Sequence, residues 1–85
     1  MENTMATLYK ANGDIIDNIE IPQGEGRLSK LQELVGGYIE VADSNEEVAL
    51  LVDEEGILKQ KEPNIFFAGK LFGDVLKVEI PKEFN

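Results

Sequence analysis

The ionisable side chains of this 85-residue sequence are carboxylates, lysines, a single arginine and two tyrosines; histidine, cysteine and tryptophan are absent. That inventory removes much chemistry at once. Without Cys or His there is no thiolate nucleophile, no Ser-His pair, no imidazole base and no ordinary zinc site. The candidates left for acid–base work are carboxylates, lysines, Tyr9 and Tyr38. Glu40 stands out among them, because it lies two residues from Tyr38 on an expected strand and so projects from the same face. Under cover it would need a partner; in the open it is a solvated acid. No pair of acids stands at a diagnostic catalytic spacing, so the reading is a non-enzyme without a cofactor.

Three other constellations were weighed. Gly24-Glu25-Gly26 before a helix is like the start of a phosphate-binding loop, but Ser29 replaces the third glycine and the loop carries an acid. Asp43, Asn45, Glu47 and Glu54 fall where a calcium loop places its ligands. Val48 stands where that loop requires glycine, and an apolar strand crosses the window, so no metal site is expected. Finally, two adjacent phenylalanines on a strand point to opposite faces. If Ile65–Ala68 is extended, one of Phe66 and Phe67 must leave the core for a subunit interface or a ligand.

The elements that would position these groups follow from pattern. Residues 5–21 read as a hairpin turned at Asn12-Gly13, a pair that tolerates positive φ, although the apolar period of Ile15, Ile16, Ile19 and Ile21 is imperfect. Pro22 stops the second strand. Leu28, Leu31, Leu34 and Val35 form one stripe of a helix over 28–35, closed by Gly36-Gly37. A helix so short must lie against a sheet. Strands are expected over 38–42, 48–52 and 75–80, with the uniformly apolar 48–52 in a central place. Ile65–Ala68 fits either a strand or a helical turn. The sum is an α+β domain over residues 1–85, a mainly antiparallel sheet of about five strands with one short helix packed on it.

Bulk composition agrees with a globular chain: 42% hydrophobic, 29% charged. With no disulfides and a domain that buries roughly 60–65% of its unfolded surface, oligomerisation is a natural supplement, and a homo-oligomer is expected. The longest apolar run, Val48 to Val52, is far short of the roughly 20 residues that span a bilayer, and no signal peptide is read, so a cytoplasmic setting is expected. Seventeen acids against eight bases give a net charge of −9. That balance disfavours nucleic acid and anionic lipid. Six of the acids (Asp43, Glu46, Glu47, Asp53, Glu54, Glu55) fall within thirteen residues that hold no base. They are either two solvated turns or one acidic patch for a basic partner.

The string Leu31-Gln32-Glu33-Leu34-Val35-Gly36-Gly37-Tyr38-Ile39-Glu40 resembles the central signature of a small family of phage and bacterial mobile-element proteins, a domain of unknown function numbered thirty-eight forty-six. The similarity continues through Val52-Asp53-Glu54-Glu55-Gly56, Pro63-Asn64 and Gly73-Asp74-Val75. The resemblance implies a phage or prophage context and no established activity. In an infected host such a protein would act by binding.

Two functions are expected in that context, the first as the main reading and the second as its alternative. The first is sequestration of a small anionic nucleotide signal of host defence, of cyclic nucleotide or ADP-ribose type. It would use cations and backbone amides for phosphates and aromatic rings for bases. Its ligand-binding residues would be Arg27, Lys30, Gln32, Gly36, Gly37, Tyr38, Asn64 and Phe66, with Lys59, Lys61, Lys70 and Phe67 as further candidates. The second is an acidic inhibitor or nucleic-acid mimic that blocks a basic host protein through residues 43–55.

Overall fold

The computed structural model describes residues 4–80. Its elements run β1 (Thr4–Tyr9), β2 (Ile15–Ile21), α1 (Arg27–Val35), β3 (Ile39–Ser44), β4 (Val48–Asp53), a 3₁₀ turn (Ile65–Phe67) and β5 (Val75–Glu79). The five strands form one sheet in the order β2-β1-β5-β4-β3, with every pairing antiparallel. The sheet dominates, and α1 lies across one face of it, where Leu31 and Val35 join Ala6, Leu8, Ile21, Leu51, Leu76 and Val78 in the core. This agrees with the α+β expectation. The middle position belongs to β5, however, with β4 one place out. An all-apolar β4 is still explained, because it pairs on both edges and its Leu51, Val52 and Asp53 are buried.

The imperfect period of β2 has a physical cause. Between Ala6 and Leu8 the register of β1 and β2 shifts, so that Asp17 and Asn18 together oppose Thr7. Asn18 takes a left-handed conformation there, φ 56°. This β-bulge lets Ile16, Ile19 and Ile21 all share the α1 side, while Ile15, Asp17 and Glu20 share the other. A second bulge, at Ala42, makes Asp43 rather than Ala42 the partner of Leu50.

The helix starts after Gly26 and stops at Gly36, both left-handed, with the Gly36 and Gly37 N–H groups donating to the Gln32 carbonyl. Gly36-Gly37 is thus a helix stop in the left-handed C′ manner. Residues 65–67 form a 3₁₀ turn rather than a strand, so the opposite-face argument for Phe66 and Phe67 does not hold: both rings pack against Tyr9, with centroids at 5.4 and 5.6 Å.

Candidate functional site

Two arrangements gather the polar residues. The first lies where the segment after β4 folds back over one end of the sheet. Asn64 is fully buried there and every polar part of its side chain is engaged. Its Nδ2 donates to the Tyr9 carbonyl at 2.8 Å and to the Gly73 carbonyl at 3.0 Å, and its Oδ1 accepts from the Phe66 N–H. One amide thus ties β1, the start of β5 and the 3₁₀ turn together. An Asn fits because it offers both donors and an acceptor on a short stem.

Asp53 occupies the next position inward, at the end of β4, with its side chain out of solvent. Its Oδ2 accepts from Lys59 Nζ at 2.7 Å and pairs with Lys61 Nζ at 2.8 Å, while Oδ1 accepts from the Glu55 N–H. Burial pushes this carboxyl up, but the Lys59 and Lys61 contacts and the Glu55 N–H together outweigh it and hold Asp53 well below its ordinary range. The partnership raises Lys59 in turn. The ammonium groups also reach the C-terminus of α1, Lys61 Nζ donating to the Val35 carbonyl at 3.1 Å and Lys59 Nζ to that of Gly36 at 3.4 Å. Cations belong at that end of a helix. A Cβ on Gly37 would stand 2.6 Å from Asp53 Oδ2, so only glycine lets the chain pass the carboxylate.

The second arrangement is the sheet face opposite α1, where register defines three rows. The row nearest Asn64 runs Ile15, Tyr9, Val75, Val52, Glu40, and its two valines are buried. The middle row runs Asp17, Thr7, Lys77, Leu50, Asp43, with Thr7 Oγ1 donating to Asp17 Oδ1 at 2.7 Å. That hydroxyl and the Asn18 N–H hold the Asp17 carboxyl below its ordinary value. In the third row Met5 pairs with Glu20, and Glu79 with Val48. Asp17, Glu20, Glu40, Asp43 and Glu79 are all exposed on this face, against one cation among the described residues, Lys77, which sits 5.9 Å from the Tyr9 ring centroid.

The sequence is recognised by the model of a domain of unknown function, DUF3846, over residues 5–84. The chain belongs to that family. No curated protein and no solved structure matches it. In this DUF3846 domain five of the residues that carried the resemblance sort into the first arrangement: Gly36, Gly37, Asp53, Asn64 and Gly73 close one end of the fold.

The eight residues expected to bind a ligand are not brought into one cavity. Asn64 faces inward, its amide engaged by the chain itself. Gly36 and Gly37 adjoin the Asp53 cluster, and Gln32 accepts their N–H groups through its carbonyl. Lys30 pairs with Glu33 at 3.7 Å on the exposed side of α1. Tyr38 is 64% exposed beyond the helix stop, and Phe66 stacks at the opposite corner on Tyr9. Arg27 borders an open groove of about 420 Å³ between α1 and the sheet, otherwise lined mainly by apolar side chains such as Leu31, Ile39 and Val78, with Gln23 and Glu79 at its rim. Lys59 and Lys61 are committed to Asp53.

The acids of residues 43–55 separate likewise. Asp53 is internal, Asp43 lies on β3 beside Leu50, and Glu46–Glu47 and Glu54–Glu55 flank the two ends of β4, six residues at about 3.4 Å each apart. The acidic face is instead assembled across strands by register and two bulges. Sequence alone could have found it only through those bulges, whose one signal is the broken period of β2. Among the described residues no cluster of acids is arranged to hold a metal ion, and no helix is long and apolar enough to cross a membrane.

Proposed function

We propose that this DUF3846 chain is a non-catalytic binding protein that docks on a basic surface of another protein through the sheet face opposite α1. The observation that supports this reading is the convergence of five exposed carboxylates from three strands, β2, β3 and β5, around one lysine among the described residues, with Met5, Val48 and Leu50 half-buried between them. A rigid face of one sign steers a partner of the other sign and speeds its encounter. The phage or mobile-element setting implied by the resemblance makes a host protein the expected partner. Nucleotide sequestration has less support, because Arg27, Lys30, Tyr38 and Phe66 lie apart and the lysines nearest Gly36-Gly37 are both engaged by Asp53.

An isotope-labelled sample titrated with a short oligolysine peptide tests the proposal. Amide shifts should concentrate at Thr7, Glu20, Asp43, Lys77 and Glu79 and fade as salt shortens the screening length. Shifts centred on Glu46–Glu47 or Glu54–Glu55 would place recognition on the turns and overturn the assignment. Calorimetric binding of a cyclic nucleotide or ADP-ribose would restore the competing function.

A further inference from the structure

The acidic face continues into an apolar corner that the fold does not use. Ile65 is 68% exposed, Ile15 53% and Phe66 39%. Register places Ile15 beside Tyr9, the Phe66 ring lies on Tyr9, and Ile65 Cδ1 comes within 3.7 Å of where a Cβ on Gly13 would stand. These residues therefore form one patch rather than scattered exposures. The patch is also held in place. Asn64 Oδ1 accepts the Phe66 N–H while its amide is anchored to Tyr9 and Gly73, so the 3₁₀ turn presents Ile65 and Phe66 from a fixed base. Large apolar groups held rigid in the open lose little freedom when covered, which is the property of a binding anchor site. Along β1 the next residue on this face is Thr7, bonded to Asp17, so the corner runs directly into the acidic rows.

We propose that the partner is a basic segment that carries a large apolar side chain, its cations lying over Asp17, Glu20 and Glu79 and its apolar side chain seated in the Ile15–Tyr9–Ile65–Phe66 corner. Charge complementarity selects this occupant over a second copy of the chain, which would bring its own acidic rows against these. The inference rests on the docking function proposed above, and its test separates the two.

Two lysine-rich peptides, identical except that one carries a tryptophan, are titrated against the wild-type chain and against an Ile65→Ser, Phe66→Ser variant. The tryptophan peptide should bind the wild type on the order of tenfold more tightly, as burial of one large apolar side chain provides. In the variant both peptides should bind with the lower affinity and with unchanged salt dependence. The single variant Ile65→Ser, at the more exposed position, should lose part of the gain with an unaltered thermal unfolding curve. Equal binding of both peptides to the wild type would overturn the anchor and leave the acidic face standing. Binding of neither would remove both proposals. Self-association in sedimentation that Ile65→Ser abolishes would assign the corner to a second copy and overturn the inference.

Discussion

At the Asn64 end of the sheet, the amide of Asn64 and the carboxylate of Asp53 direct their polar atoms to partners within the chain. One and two rows away on the same sheet, Asp43, Glu20 and Glu79 stand exposed around one lysine among the described residues. The first region has the residues most distinctive in the sequence, and its geometry gives them work to do inside the fold. The second has residues that look ordinary one by one, and it is the region to which docking is assigned in our proposal. Distinctive residue types are therefore a guide here to closure of the fold, and recognition has to be sought where register assembles common ones. The comparison breaks if substitutions in the first region alter binding without altering stability, or if those in the second do the reverse.

The largest loss of stability is expected from Asn64→Ala. It strips partners from the Tyr9 and Gly73 carbonyls and from the Phe66 N–H in a site closed to water. Leaving buried polar groups unpaired costs about 1–3 kcal/mol each, so a loss of about 3–4 kcal/mol is expected in chemical denaturation. Asn64→Asp keeps the acceptor for Phe66 but sets a carboxylate against two carbonyls, and should be no better. Gly37→Ala comes next. Its Cβ would meet an Asp53 carboxylate that two lysines hold fixed, and overpacking of this kind costs about 1–3 kcal/mol. Neither change should alter which residues respond to a basic peptide, provided the sample is measured below its unfolding midpoint.

Asp53→Asn sharpens the comparison through pH. The folded carboxyl lies below its ordinary 3.8, so its stabilising effect is complete above that value and is lost as pH falls toward the folded value. Lys59 is shifted upward from 10.5, so its share is complete below that value and is lost as pH rises through the folded one. As far as this cluster contributes, the wild type should hold a plateau between about pH 5 and pH 10 and lose stability at both ends. The Asn variant should be less stable on the plateau by roughly 2 kcal/mol and show a shallower acid limb, as urea midpoints against pH would reveal. An unchanged acid limb would mean that other carboxylates govern it.

The Asn12-Gly13 turn, the apolar stripe of the helix and the apolar runs bounded by turn residues fall within a few positions of the elements observed, because these are local signals. Gly36-Gly37 was legible as a helix stop for the same local reason. The 3₁₀ turn was not, since Ile65-Phe66-Phe67 is apolar under either conformation and only the cap from Asn64 decides between them. The partners of Asp53 lie six and eight residues later, at no helical or strand spacing, so the Lys59 and Lys61 pairs were invisible until the turn after Gly56 was placed. The acidic face was hidden twice over. Its acids come from three strands, β2, β3 and β5, of a sheet whose order is unlike that of the chain, and the bulges at Asp17-Asn18 and Ala42 reset which residues share a side. The acids crowded between 43 and 55 are close only in sequence: Asp53 is buried, Asp43 joins the sheet face beside Leu50, and Glu46–Glu47 and Glu54–Glu55 are parted by the length of β4.

The smallest expected effect on stability is the most telling for function. Glu20→Lys together with Glu79→Lys reverses two charges in the row that flanks Met5, on exposed side chains. Exposed charge changes alter folding by about 0.5 kcal/mol or less. The unfolding midpoint should therefore stay within error of the wild type. Binding of an oligolysine peptide, by contrast, should fall by at least about tenfold at low salt, because the face goes from five acids and one base to three acids and three bases. The two measurements pull apart only if stability and recognition occupy different regions of the sheet. A variant that loses stability but keeps its peptide would show that these rows, too, serve the fold.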